Sequence, residues 1–489
     1  MLALPRRLAV ALIIATAVAC ATNPATGRRQ LSLVGEGQEA ELGREAAEQV
    51  RTSIGLYPDD RLQSYVNGIG QRLAAVSERP KLDWSFQVVD DAAVNAFALP
   101  GGYIYVTRGL LAHVNSEGEL AAVLGHEIGH VTARHSVSQM SKAQLASLGL
   151  GLGMILRPEL ASLGQVGEVG LGLLLLKYSR NDENQADELG LRYLTRGDYP
   201  AAEMPKVLQM LQRVGEAENA GRVPGWLSTH PSPADRVTRV NASLDKLGDA
   251  GSGSPRREAY LKQIDGIVFG PDPREGFFRS NVFYHPEMAF TIEFPRGFRG
   301  QNQKQSVGAI SPNQDAVVVV SLTGRGSPEA ASREFFAQQG VRMGRAWSGD
   351  IGGQDAVAHE FAAASGQTPV RGLAAFVERG GRVFQILGYS TSTGWSRYGS
   401  ALSESITSFE RLTDRRMLSV QPLRLKIVPT SPLTGDDDLT RRAPVDRDTL
   451  RLINGAGEST SRSGFVKTVV GDDFAAEIYR EQRKASRQQ

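Results

Sequence analysis

The five residues His126-Glu127-Ile128-Gly129-His130 constrain this chain more than any other segment, because the pattern around them demands a buried helix. Ser116-Glu117-Gly118-Glu119 has the form of a capping box, with Ser116 as N-cap and Glu119 reaching back to the Ser116 amide. Apolar residues then recur at Leu120, Val123, Leu124, Ile128 and Val131, close to the helical period. On that helix the two histidines lie on one face, one turn apart, where both imidazoles reach a single Zn²⁺. Glu127 falls beside the open metal position, where it can take a proton from a water whose pKa the metal lowers from about 15.7 to about 7. Chance produces H-E-x-x-H in roughly 1 of 200 chains of this length and histidine content. The helical context therefore favours a zinc site over a pair of satisfied core histidines.

A catalytic zinc site needs a third protein ligand. The best source is the segment Tyr178-Ser179-Arg180-Asn181-Asp182-Glu183-Asn184-Gln185-Ala186-Asp187, which ends an apolar run and opens a second helix. Glu183 and Asp187 share one face of it. One can bind metal while the other accepts a hydrogen bond from the free ring nitrogen of a ligand histidine, fixing its tautomer. His135, five residues after His130, is expected to turn away from that face and to be structural.

Three separated motifs resemble those of peptidase family M48, in the right order and spread over roughly residues 25–247. They are the His126–His130 helix, the segment 178–187, and Leu227-Ser228-Thr229-His230-Pro231 followed by Arg236. The resemblance implies a mainly helical, gluzincin-type metallopeptidase domain with a small edge-strand sheet, in a chain that is α+β overall. It implies His126, His130 and Glu183 as ligands of one Zn²⁺, Glu127 as general base, and Asp187 as partner of a ligand histidine. His230 matches the family's His-Pro position near the metal, as an oxyanion donor or as a fourth ligand in a latent state. Upstream, Asn95-Ala96-Phe97-Ala98-Leu99 leads through Pro100-Gly101-Gly102 into the β-rich run Tyr103 to Thr107. This stretch resembles the family's edge strand, which implies that Asn95, Ala96, Phe97 and Ala98 pair with an unfolded or extended polypeptide substrate.

Arg6 and Arg7 precede the apolar run Leu8 to Ala19, too short to span a bilayer, so residues 1–19 read as a signal peptide. The run ends at Cys20, the only cysteine, which resembles the acylation site of a bacterial lipoprotein. Ala17 stands where such sites usually carry Leu, which leaves ordinary cleavage after Ala17-Val18-Ala19 as the alternative. Ala21, rather than Asp, resembles lipoproteins sent to the outer membrane. The expected location is the periplasm of a Gram-negative bacterium, with a lipid anchor in the outer membrane. No intramolecular disulfide is available, so stability rests on packing. With 55 basic and 53 acidic residues, the chain has no basic surplus with which to bind nucleic acid.

The 489 residues suggest about three domains. A metallopeptidase domain is expected over 20–247, a flexible Gly/Ser linker over 248–258, an α+β accessory domain over 259–412 and a charged tail over 472–489. Residues 420–471 resemble a degenerate LysM module, which implies peptidoglycan contact. The Gly-laced apolar stretch Leu145 to Leu176, broken by Arg157-Pro158-Glu159, is expected as a helical hairpin over the active-site helix, or as a lid. Together these readings predict a zinc endopeptidase that cuts unfolded or misassembled cell-envelope proteins. The alternatives are a latent-zinc chaperone or assembly factor for outer-membrane proteins, and a cell-wall-associated hydrolase.

Overall fold

The computed structural model describes residues 20–149, 177–218, 226, 230, 234–247, 253–324, 326–347, 350–365, 368–430, 440–455 and 464–488. The signal peptide, most of the expected hairpin 145–176 and linker residues 248–252 lie outside the described residues. The architecture is α+β. It opens with a short hairpin of β1 (Cys20–Thr22) and β2 (Arg29–Leu31). Helices α1 (Glu36–Ser53) and α2 (Asp60–Ala75) follow, and Asp59 caps α2 by accepting the Leu62 amide at 3.0 Å. Strands β3 (Ser85–Val89), β4 (Ala96–Leu99) and β5 (Tyr103–Thr107) form a sheet in the order β3-β5-β4. β3 runs parallel and β4 antiparallel to β5. Gly101 and Gly102, at φ 81° and 104°, take the left-handed conformations that reverse the chain between β4 and β5. β4, like β3, is therefore an edge strand of this sheet.

After α3 (Arg108–His113) comes α4 (Glu117–Thr132), the helix that carries His126 and His130, and every residue of it is buried. Its N-cap forms with one change. Ser116 Oγ accepts the Glu119 amide at 3.0 Å, but the Glu119 carboxylate takes the Asn115 amide at 2.6 Å, one residue before the cap. The chain kinks at Arg134, φ 53°, before α5 (His135–Gly149). Then come α6 (Arg180–Arg196), α7 (Glu203–Glu218), α8 (Ala234–Leu247) and α9 (Arg257–Ile264). α4 is wrapped by α2, β4, α6, α7 and α9. At its C-terminal end the buried Glu39 accepts from both Arg79 and Arg134 at 2.8 Å, tying α1 to the kink. Among the described residues no helix is long and apolar enough to cross a membrane.

A second core begins near Phe277. β6 (Phe277–Arg279), β7 (Val282–His285) and β8 (Phe290–Glu293) form a meander, with β18 (Glu410–Arg411) beside β8. Beside it lies an antiparallel seven-stranded sheet. Its strands are β9 (Arg299–Asn302), β10 (Ser306–Ile310), β11 (Ala316–Leu322), β12 (Arg342–Trp347), β15 (Val357–Ser365), β16 (Thr368–Arg379) and β17 (Arg382–Thr391). They stand in the order β12-β15-β16-β17-β11-β10-β9. β13 (Asp350–Ile351) and β14 (Gln354–Asp355) pair as a separate ribbon, with Ile351 buried in the second core. Gly380 and Gly381, both at positive φ, make the β16–β17 hairpin. Helix α10 (Pro328–Phe336) covers one face through Phe335, and α11 (Trp395–Thr407) covers the other through Leu402 and Ile406. A short helix α12 (Arg415–Leu418) follows. His285 accepts the Met288 amide and has a structural part.

The boundaries differ from the sequence reading. Pro255 O accepts the Gly118 amide at 3.1 Å and Arg256 pairs with Glu117 at 2.7 Å, so residues 253–256 of the expected linker are docked on the start of α4. Helix α9 and Ile267–Phe269 share the core of the N-terminal helices, although they fall within the expected accessory domain. The C-terminal module is built from β19 (Arg424–Pro429), α13 (Arg447–Asn454) and β20 (Phe465–Val470), with β19 and β20 antiparallel. Its Leu425, Val445, Leu450, Ile453 and Val469 also join that N-terminal core. The charged tail forms α14 (Asp473–Gln488), with Phe474 and Ile478 against Phe277.

His113 gives this core a pH dependence. Its ring is buried with Nδ1 donating to Gly109 O at 2.7 Å. Burial and, more weakly, Lys467 and Arg483 pull its pKa from 6.5 down to about 4. The neutral form is the one that folds, so its stabilisation is complete above pH 6.5 and is lost as pH falls toward 4. The expected loss at pH 4 is about 3 kcal/mol. Urea unfolding of wild type and His113→Gln across this range checks it. The variant should lack that part of the acid destabilisation.

Candidate metal centre

Small residues bring the two site helices together. A Cβ on Gly129 would meet the Ala186 backbone at 3.0 Å, and one on Gly190 would meet the His126 amide nitrogen at 3.1 Å. The residue after Ile128 is thus glycine because α6 crosses there. α6 begins at a full capping box, Ser179 with Asp182. This register places Glu183 and Asp187 alongside His126 and His130.

Ligand atoms of His126, His130, Glu183 and His230 all lie within 4.8 Å of one another, and all four residues are buried. The two histidine Nε2 atoms are 3.1 Å apart, and each is 3.6 Å from a Glu183 oxygen. A tetrahedral zinc with bonds near 2.0–2.1 Å spaces its donors by about 3.4 Å, so the set fits that ion. Asp187 Oδ1 accepts from His126 Nδ1 at 3.0 Å, which leaves the Nε2 lone pair of His126 facing the cluster. Among the described residues both buried Glu127 oxygens lack a hydrogen-bond partner, and Oε1 lies 3.8 Å from His230 Nε2.

Electrostatics separate the carboxylates. Burial pushes Glu127 up, and His230 and His126 offset it only in part. Burial also pushes Glu183 and Asp187 up, but for these two it is overcome. His230 and Arg236 hold Glu183 below its ordinary value, and Arg236 with His126 does the same for Asp187. His130 is held well below its ordinary value by burial and then by its cationic and imidazole neighbours, so it is a neutral base suited to a metal.

Residues 60–243 match Peptidase family M48. The chain is similar to the beta-barrel assembly-enhancing protease of Escherichia coli, 30% identical over 234 residues, 46% of this chain and 48% of that protein. The protein of the same name from Yersinia pestis is 32% identical over 244 residues, 48% of this chain and 50% of that protein. The mitochondrial metalloendopeptidase OMA1 of Schizosaccharomyces pombe is 31% identical over 230 residues, 45% of this chain and 65% of that protein. Over residues 60–243 the chain is similar to M48 peptidases. It spans about half the length of these bacterial relatives. M48 peptidases use zinc, and the four clustered side chains suit it.

The centre also holds residues to which the sequence reading gave no role, and one that it misplaced. Arg236, from the first turn of α8, forms an ion pair with Glu183 Oε2 at 2.6 Å and donates to Asp187 Oδ1 at 2.6 Å, and so clamps both carboxylates. Trp226 stacks on His230 at 4.0 Å between ring centres, and Tyr178 stacks on His130 at 3.9 Å. His135 does not turn away. Its Nδ1 lies 2.9 Å from His130 Nδ1, because the kink at Arg134 breaks the helical phase between them.

Proposed function

We propose that this chain is a zinc-dependent endopeptidase that cleaves unfolded or misassembled envelope proteins in the periplasm of a Gram-negative bacterium, anchored to the outer membrane through an acylated Cys20. The observation that carries the reading is Glu127: a buried carboxylate, unpartnered among the described residues, beside a cluster of His126, His130 and Glu183. The names of the bacterial relatives favour outer-membrane proteins as the substrates.

Zinc held by His126, His130 and Glu183 would supply Lewis acidity and a water made acidic enough to attack at neutral pH. Glu127 takes the proton of the attacking water and returns it to the leaving amine. Asp187 and Arg236 hold His126 and Glu183 in place. The edge strand β4, one of the two edges of its sheet and led by Asn95, whose Oδ1 is unpartnered among the described residues, pairs with the substrate in extended form through Ala96, Phe97 and Ala98. Only an unfolded chain offers a free strand, which sets the substrate class.

His230 supports two readings. As imidazolium it donates from Nε2 to the oxyanion, contributing about 3 kcal/mol to the transition state. Its Nδ1, however, lies 2.7 Å from Glu183 Oε1. A carboxylate accepts, so neutral His230 carries its proton on Nδ1 and turns a lone pair outward from Nε2. That geometry favours a fourth ligand in a latent enzyme. The test is degradation of unfolded casein by the purified chain, with and without chelator, beside His230→Ala. Cleavage abolished by chelator is expected. A several-fold gain in His230→Ala supports latency, and a large loss supports the donor. A zinc-loaded chain inert in both forms overturns the peptidase reading.

A further inference from the structure

The ligand set described above leaves open what fixes the ring of His130, and a chain of hydrogen bonds running in from the N-terminal hairpin answers it. The chain can be followed outward from groups whose roles are not negotiable. The backbone amides of Ala25 and Thr26 can only donate, and both point at Asn23 Oδ1, at 2.9 and 3.2 Å. Asn23 Oδ1 is therefore the acceptor and its Nδ2 the donor, which agrees with the bond from Nδ2 to Ala133 O at 3.0 Å. The same Nδ2 faces Gln30 Oε1 at 3.0 Å and, as a longer shared contact, Gln185 Oε1 at 3.4 Å. The Gln185 oxygen lies 2.8 Å from His135 Nε2. An amide oxygen only accepts, so His135 carries its proton on Nε2, and Asp182 Oδ1 at 3.9 Å on the same side favours this tautomer as well. His135 Nδ1 is then a lone pair, 2.9 Å from His130 Nδ1, and can be satisfied only if His130 donates to it.

We propose that His135 is a positioning residue that holds His130 in its metal-binding tautomer, with Gln185 and Asn23 fixing His135 in turn. The proton of His130 is kept on Nδ1, and the lone pair of Nε2 is turned toward the cluster. Asp187 does the same for His126, so two lone pairs face each other across 3.1 Å, an arrangement that a cation between them relieves. Asn23, His135 and His130 are each less than 5% exposed, so water does not compete for these bonds. The relay uses an imidazole where ligand histidines more often meet a carboxylate or a carbonyl.

The inference rests on the metal reading, and its test separates the two. Zinc affinity of the metal-free full chain is measured by competition with a chromophoric chelator, for wild type, His135→Phe and His135→Asn. Phe keeps a ring without an acceptor, whereas Asn puts Oδ1 where Nδ1 stood. His135→Phe should bind zinc about 10- to 100-fold more weakly, and His135→Asn should recover to within about threefold of wild type. A purely structural role would not be rescued by Asn, so equal weakness in both variants overturns the proposal, as does wild-type affinity in His135→Phe. Nitrogen-15 spectra of histidine-labelled, metal-free wild type give a reading free of any folding defect in the variants. Protonation of His130 at Nδ1 supports the relay, and protonation at Nε2 overturns it. If wild type binds no zinc, the metal reading falls and this inference with it. If wild type binds zinc while His130 shows the wrong tautomer, the relay alone falls.

Discussion

Glu127→Gln is expected to lower casein cleavage by about 10³-fold, within the 10²–10⁴ that a positioned proton-transfer group contributes, while leaving zinc bound. Gln has nearly the same shape and cannot take a proton from water. The carboxylate it replaces touches neither of the His126 and His130 nitrogens assigned to the metal by a hydrogen bond, and both of its oxygens lack partners among the described residues. Burial already penalises its charge, so a neutral amide should leave stability unchanged or raise it slightly. The measurement is initial rate beside zinc content and melting temperature. Wild-type activity in a zinc-loaded Glu127→Gln would remove Glu127 as the base. A loss of zinc instead would mean that Glu127 binds the metal.

The site was legible in the sequence as far as local periodicity reaches. His126, Glu127 and His130 follow from one helix, and Glu183 and Asp187 from another, because in each case the spacing on a single element sets the face. Where two elements must be combined, the pattern carries less. The His135 ring meets His130 across a kink at Arg134, φ 53°, and a non-glycine residue in that conformation leaves no sequence signature. Arg236 lies 49 residues beyond Asp187, and only the crossing of α8 over α6 shows which carboxylates it serves. The signal available was a lone arginine inside the third motif. Strands such as β11 and β17 and the Gly380-Gly381 hairpin are legible for the opposite reason, since short β-branched and aromatic runs and turn chemistry are local. The domain boundaries were not, because a Gly/Ser-rich stretch looks like a linker whether or not Pro255 O is docked on the Gly118 amide. An amphipathic strand, likewise, does not say whose core it enters.

That last point makes removal of residues 420–489 the other change with a large expected effect. Read as a separate module, the segment could be deleted without harm to the peptidase. In the fold, Leu423, Leu425, Val445, Leu450, Ile453 and Val469 are buried in the core that also holds Leu110, Leu111, Leu120 and Leu124. At about 1.5–3 kcal/mol for each large side chain, their loss exceeds about 9 kcal/mol, comparable to the whole stability of a typical domain. Residues 20–419 should therefore be insoluble or unfolded, and a loss of cell-wall binding in that fragment would report collapse rather than a missing glycan anchor. Lys467→Met isolates the contact at the centre. Burial pulls the Lys467 pKa down and Glu119 opposes it. Yet Nζ lies 2.9, 2.6 and 2.8 Å from the carbonyls of Ala112, Val114 and Ile453, and three acceptors call for the three hydrogens of an ammonium. Two of those carbonyls sit just before the N-cap of the helix that carries His126. Met fills the volume but leaves all three without the donor Lys467 supplies and removes one of the two cations, with Lys206, that favour the Glu119 carboxylate. The expected cost is about 3–5 kcal/mol in urea unfolding. A cost below about 1 kcal/mol would mean that the carbonyls find other donors and that the module does not brace the active-site helix through this side chain.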